Sequence, residues 1–151
     1  MPVIDIHGLD HVVLRIRDLE RALAFYRDAL GCPVERRIDA LGLVQLRAGT
    51  SLIDLVPVDS PLGSAGGPPA PAAEAGGRNM DHFALQLASF DEAAIRAHLE
   101  RHGIAAGDVG RRYGAQGDGP SMYVRDPDGN TVELKGPPDP GPGSDPGAQP
   151  T

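Results

Sequence analysis

The sequence repeats itself. When Asp10 is laid over Asp81, an offset of 71 residues, His11 meets His82, Leu14 meets Leu85, Ile16 meets Leu87 and Ala22 meets Ala93. Such a repeat constrains the fold before local propensity does, because each copy must be one supersecondary unit that buries its apolar face with help from another. Each copy opens on an extended segment and runs into an amphipathic helix. In the first, Asp18 reads as the N-cap and Leu19, Ala22, Leu23, Tyr26, Ala29 and Leu30 recur at helical spacing, with Gly31 and Pro33 closing the run. In the second, Ser89 and Glu92 have the spacing of a capping box and Gly103 closes the helix. Three shorter extended segments follow each helix, the last with a carboxylate between apolar neighbours: Ile53-Asp54-Leu55 and Val132-Glu133-Leu134. Turns precede both, at Ala48-Gly49-Thr50 and at Asp126-Pro127-Asp128-Gly129-Asn130.

The expected fold class is α+β: two βαβββ repeats over residues 9–57 and 80–135, together forming a single domain over 1–135. Between them, 58–79 lacks apolar periodicity and reads as a linker or surface loop. The chain holds 20 Gly and 15 Pro, and they crowd into that linker and into 136–151, which reads as a disordered tail.

The formal charge of −7 leaves no basic stripe for nucleic acid and would be repelled by an acidic membrane surface. No apolar run reaches the roughly 18 residues of a membrane span, and the start MPVIDIHG lacks the flank and apolar stretch of a signal peptide, so a cytoplasmic location is expected. The single cysteine, Cys32, excludes an intramolecular disulfide and reads as a small buried residue beside a helix end.

Side chains alternate faces along a strand, which sorts the chemistry. Phe83, Leu85 and Leu87 form an apolar face, leaving His82, Ala84 and Gln86 opposite. By the same parity His11, Val13 and Arg15 share a face in copy one. Ser121, Tyr123 and Arg125, then Thr131, Glu133 and Lys135, join the histidines in copy two. A carboxylate set among apolar residues, as Asp54 is, is costly to bury unless it is paired or binds a metal. Two imidazoles and two carboxylates at repeat-related positions therefore point to one divalent ion with mixed N/O ligation, a set that suits Zn, Ni, Co, Mn or Fe. His7, His98 and His102 have no repeat partner and are read as solvated or capping residues.

The segments DLERALAFYRDALG, DHFALQL and YVRDPDGNTVEL, with His11 ahead of the first, resemble the vicinal oxygen chelate superfamily over about residues 8–135. That group includes glyoxalase I, fosfomycin-resistance enzymes, extradiol dioxygenases, methylmalonyl-CoA epimerase and bleomycin-resistance proteins. The resemblance implies a cup-shaped mixed sheet with helices on its outer face, often in a dimer that shares its sites. It further implies that His11, His82 and Glu133 are metal ligands. Asp54 falls where glyoxalase I has a ligand Glu, one methylene longer. Arg15 falls where bacterial glyoxalase I has an arginine contacting glutathione, and Gln45, Tyr123 and Arg125 are further substrate-binding candidates.

The function implied is that of a metal-dependent lyase or isomerase of the glyoxalase I type. The metal would chelate two neighbouring substrate oxygens and stabilise an enediolate, with Glu133 or Asp54 as catalytic base. The alternatives are a metal-dependent thiol transferase, an extradiol-type dioxygenase and a non-enzymatic drug-binding module. The expected partners are a small-molecule substrate, a thiol cosubstrate in some of these readings, and a second copy of the chain in a homodimer.

Overall fold

Both repeats build the same mixed sheet. The computed structural model describes residues 2–69 and 77–140, in two units. One runs up to Asp81 and also takes in Asp126–Asn130; the other comprises His82–Arg125 and the chain from Thr131 onward.

In the first unit, β1 (His11–Ile16) leads through a helix to β2 (Val34–Ile38), β3 (Leu43–Ala48) and β4 (Ser51–Pro57). The sheet order is β1-β4-β3-β2, with β1 parallel to β4 and the other pairs antiparallel. In the second, β5 (Phe83–Gln86) is followed by a helix, β6 (Val109–Gly114), β7 (Gly117–Arg125) and β8 (Thr131–Lys135), in the order β5-β8-β7-β6 with the same directions. These are two βαβββ modules of an α+β fold, with the mixed sheet present as two four-stranded sheets.

The apolar parity of the sequence is what the strands bury. Leu14 and Ile16 of β1, Val44 and Leu46 of β3, and Ile53 and Leu55 of β4 pack in the first unit; Met122, Val124, Val132 and Leu134 do so in the second. β3 and β4 are joined by the two-residue turn Gly49-Thr50, where Gly49 takes the left-handed φ of 61° that the tight reversal requires.

The first helix departs from the regular periodicity expected of it. Asp18 caps it as expected, accepting from the Arg21 N–H, but α1 is α-helical only over Leu19–Leu23. Ala24–Ala29 is a π-helical stretch, with the Leu30 N–H donating to the Phe25 carbonyl. The wider turn changes which side chains face inward: Phe25 and Tyr26 are both buried, edge to face at 4.8 Å, whereas Leu30 is half-buried. In the second helix, α3 (Glu92–Arg101), Asp91 rather than Ser89 is the N-cap, accepting from the Ala94 N–H at 3.1 Å. Both are good caps, and the carboxylate adds a favourable charge at the positive end of the helix.

The DPDGN turn is more than a hairpin. Asp126 is buried, and its Oδ1 accepts from the backbone N–H of Asp128 and of Asn130, while Oδ2 accepts from the Asn130 amide and, at 2.6 Å, from the Tyr26 hydroxyl. Burial and the Asp126 charge both push the Tyr26 phenol far up from its ordinary value, so it stays a donor.

The linker is partly built. Ser60 caps the single-turn helix α2 (Pro61–Ser64) through the Gly63 N–H. Residues 70–76 and 141–151 lie outside the described residues, so the tail expectation is met there by no observation. Its first residues are hydrogen-bonded to β7 instead of loose: the Gly136 N–H donates to the Pro120 carbonyl, the Asp139 N–H donates to the Asp118 carbonyl, and Asp139 pairs with Arg111 at 2.9 Å. Carbonyls left open at the end of the β7 ladder supply the partners that composition does not reveal.

Tyr26→Phe removes a donor to a buried charged acceptor, for which a loss of about 1.5–3 kcal/mol is expected. Chemical denaturation should show it, with the m-value unchanged; a loss below about 0.5 kcal/mol would mean that the Asp126 network does not depend on Tyr26.

Candidate functional site

The two modules place their His and carboxylate side chains at equivalent register. In the first, Val13 pairs with Asp54 across the β1–β4 ladder, and His11 stands two residues before Val13 on the same face. In the second, Ala84 pairs with Glu133 across β5–β8, and His82 stands two residues before Ala84. On the other side of each carboxylate, Gln45 is opposite Asp54 and Tyr123 is opposite Glu133. Strand parity thus carries over from sequence to sheet, and Gln45 and Tyr123 occupy matching places.

The carboxylates are satisfied differently. Asp54 is 4% exposed, and the Gln45 amide donates to both its oxygens at 3.2 and 3.1 Å. Glu133 is 7% exposed; its Oε2 lies 3.3 Å from His82 Nε2, and its buried Oε1 has no hydrogen-bond partner. The His82 ring also meets the Tyr123 ring edge to face at 5.3 Å. A buried carboxylate oxygen with no partner is unstable unless something outside the chain completes it.

His11 is oriented by the residue before it. Its Nδ1–H donates to Asp10 Oδ1 at 2.6 Å, which leaves Nε2 as the open nitrogen. A carboxylate on the far ring nitrogen is the usual way a ligand histidine has its tautomer fixed. The hydrogen bond to Asp10 raises the His11 pKa, partial desolvation lowers it, and the Asp54 charge raises it again, for a net upward shift.

The donor set suits a divalent metal. Donors that bind one ion at about 2.0–2.2 Å lie roughly 3–3.5 Å apart, and the His82–Glu133 separation falls in that range. Among the described residues, no group of three or more His, Cys, Asp or Glu side chains is gathered as a metal site. What the structure does bring together is His82 with Glu133 in one unit; in the other, His11 and Asp54 share a face and the Asp54 charge acts on His11.

The remaining candidates have other partners. Arg15 Nε donates to the Gly63 carbonyl at 3.2 Å, Nη1 to the Pro68 carbonyl at 3.3 Å, and Nη2 to the Gly67 carbonyl. The guanidinium holds the end of the linker, and a Cβ on Gly66 would press on it at 2.6 Å. Arg125 is exposed at the end of β7, opposite Thr131. Cys32 is buried, and burial pushes its thiol up from the ordinary value. Sequence reading missed Asp10 as the partner of His11, because Asp10 has the opposite strand parity; it precedes β1 and is not bound by the pleat.

With this geometry in place, comparison with known proteins identifies the family. The profile of the glyoxalase/bleomycin resistance protein/dioxygenase superfamily matches residues 8–134, and the chain belongs to that superfamily. It is 33% identical over 127 residues to a catechol-2,3-dioxygenase of Bacillus subtilis (strain 168), covering 83% of this chain and 40% of that protein. It is 32% identical over 133 residues to a glyoxalase domain-containing protein of Mycosarcoma maydis, covering 87% of this chain and 69% of that one. The chain thus spans well under half of the first relative's length. Among solved structures, a lactoylglutathione lyase from Agrobacterium tumefaciens superposes with a TM-score of 0.60 at 25% identity, over 87% of this chain and 94% of that one. No helix among the described residues is long and apolar enough to cross a membrane.

Because the His11 pKa is raised, the stability it contributes is present below the unfolded imidazole value and is lost as pH rises through the folded one. An NMR titration of the His11 ring should give a midpoint above the ordinary histidine value, and Asp10→Asn should bring it down. A midpoint unmoved by Asp10→Asn would contradict the assigned cause.

Proposed function

We propose that this chain is a metal-dependent enzyme that takes a carbon-bound proton from a small substrate carrying two neighbouring oxygens, a lyase or isomerase of the glyoxalase I type. The observation that supports this reading is Glu133, a buried carboxylate with one oxygen unpartnered and the other beside His82 Nε2. His11, His82 and Glu133 would hold one divalent ion, with Zn, Ni, Co, Mn and Fe all compatible with two imidazoles and a carboxylate. When bound, such an ion polarises the two substrate oxygens as a Lewis acid.

The chain's own residues supply the rest. Asp54 is the better candidate base, since a carboxylate that ligates a cation must detach before it can take a proton. The single Gln45 amide nitrogen orients its carboxylate without using all of its lone pairs. Tyr123 backs the His82 ring and limits its rotation. For Arg15 to meet a substrate anion, its guanidinium must let go of the Gly63, Gly67 and Pro68 carbonyls.

A second reading, an extradiol-type dioxygenase, fits the same ligand set, since two histidines and one carboxylate are also the donor set of non-haem Fe(II) oxygenases. The relative named as a catechol dioxygenase supports it as well.

The reading also takes the chain as a homodimer, in which a second copy could complete each site. Chains carrying His11→Ala and His82→Ala, mixed after partial unfolding, should then regain metal binding in the heterodimer; no recovery would leave the site within one chain.

Cobalt(II) added to metal-free protein should bind saturably at one per chain, and His82→Ala should lose most of that binding. Binding retained in His82→Ala would contradict the ligand set. Oxygen uptake with catechol in the Fe(II)-loaded protein would assign the dioxygenase reading over the lyase reading.

A further inference from the structure

The C-terminal end of α3 carries two histidines that neither reading of the reaction uses. His98 and His102 are four residues apart, which makes them neighbours on one side of the helix. Their ring centres are 4.7 Å apart and their planes are inclined by 52°. His98 is half-buried and His102 is exposed. The backbone beneath them is fixed. The His102 N–H donates to the Leu99 carbonyl at 3.0 Å and the Ile104 N–H to the same carbonyl at 2.9 Å, while the Leu99 side chain between the two histidines is 1% exposed. Gly103 then leaves the helix at a left-handed φ of 69°.

The spacing of the rings fits a shared ion. An imidazole nitrogen binds a first-row divalent metal at about 2.0–2.1 Å, which puts each ring centre roughly 3.2 Å from the ion. Two such rings, at ligand angles of about 90–109°, have centres roughly 4.5–5.2 Å apart. The observed separation lies inside that range. The inclination matters as well, because a metal sits in the plane of each imidazole that binds it. Parallel stacked rings share no such point, whereas planes inclined by 52° cross along a line. One nitrogen of each ring suffices, and with the backbone already held only side-chain rotation has to be restricted on binding. The carbonyls at this end of α3 form the negative pole of the helix, which favours a cation.

We infer that His98 and His102 form a second metal site, a two-imidazole chelate for a late first-row divalent ion, built from residues distinct from His11, His82 and Glu133. Imidazole suits Cu, Ni and Zn, and along the divalent series the affinity of a nitrogen pair peaks at Cu(II). With two protein donors the ion keeps its other positions for water or for a donor on another molecule. A bound ion staples the last turn of α3, so metal binding adds to the stability of the fold. The site does not depend on the function proposed above. Cobalt(II) stands earlier in the series and gains from a third donor, so one equivalent of it reports the His11, His82 and Glu133 set rather than this pair.

The test is calorimetric titration of the metal-free, full-length chain with nickel(II) near neutral pH. His98→Gln and His102→Gln should each weaken one nickel site per chain by about tenfold or more, because either change removes the chelate. His7→Gln, which removes another exposed histidine, should leave nickel binding as it is. Both α3 variants replace side chains outside the core, so without metal they should melt with the parent, and the rise in melting temperature that nickel gives the parent should shrink in both. Ring-proton NMR answers the same question without a substitution: as copper(II) is added to the parent, the His98 and His102 signals should broaden together and before those of His7. Nickel binding unchanged in His98→Gln and His102→Gln, an equal loss in His7→Gln, or broadening of His98 without His102 would overturn the site. His82→Ala separates the two claims: nickel binding sensitive to His98→Gln but not to His82→Ala keeps this site and removes the metal reading, and the converse does the reverse.

Discussion

A carboxylate between two apolar residues of a strand, with both neighbours buried on the opposite face, cannot be left alone. It loses its hydration and must regain an equivalent from a donor, a cation or a proton. Asp54 and Glu133 are both in this position, at the same register of two equivalent sheets, and each is 7% exposed or less. The sheets settle the matter differently. Gln45 gives Asp54 a neutral donor from across the ladder, and the place of Gln45 is taken in the second module by Tyr123, whose ring packs against His82 instead. Glu133 is thereby left with an open oxygen. The two modules differ at this cross-strand position, Gln45 against Tyr123, and the difference separates a candidate base from a candidate ligand.

Much of the remaining structure holds these faces in place. The π-helical stretch brings Tyr26 to Asp126, whose two oxygens collect four donors and set the turn of Asp126–Asn130. Arg15 gathers the carbonyls of the linker end onto the same face of β1 as His11. Those carbonyls are neutral acceptors, so they satisfy the guanidinium's hydrogens without a carboxylate.

The parts of this arrangement that were legible in the sequence are those with a period. The repeat fixed the order of elements in both modules, and strand parity put His82, Tyr123 and Glu133 on one face, where the structure also has them. The parts that were not legible depend on contacts without a period. The i, i+5 bonding of Ala24–Ala29 buries Phe25 in place of Leu30, and nothing in the spacing of DLERALAFYRDALG distinguishes that from a regular helix. Ser89 and Asp91 are both competent caps, and only the backbone decides for Asp91. Parity placed Lys135 with the histidines, but its burial depends on contacts without a period: Gly114 and Gly119 leave the room that its side chain fills.

The central claim is that the repeat-related histidines and Glu133 serve one metal ion. X-ray absorption on the cobalt-loaded protein tests it most directly, because the multiple-scattering signal of imidazole counts histidine ligands independently of any activity. The account predicts a shell of nitrogen and oxygen donors with two imidazoles, falling to one in His11→Ala and again to one in His82→Ala. A shell without imidazole, or one unchanged by either substitution, would contradict it.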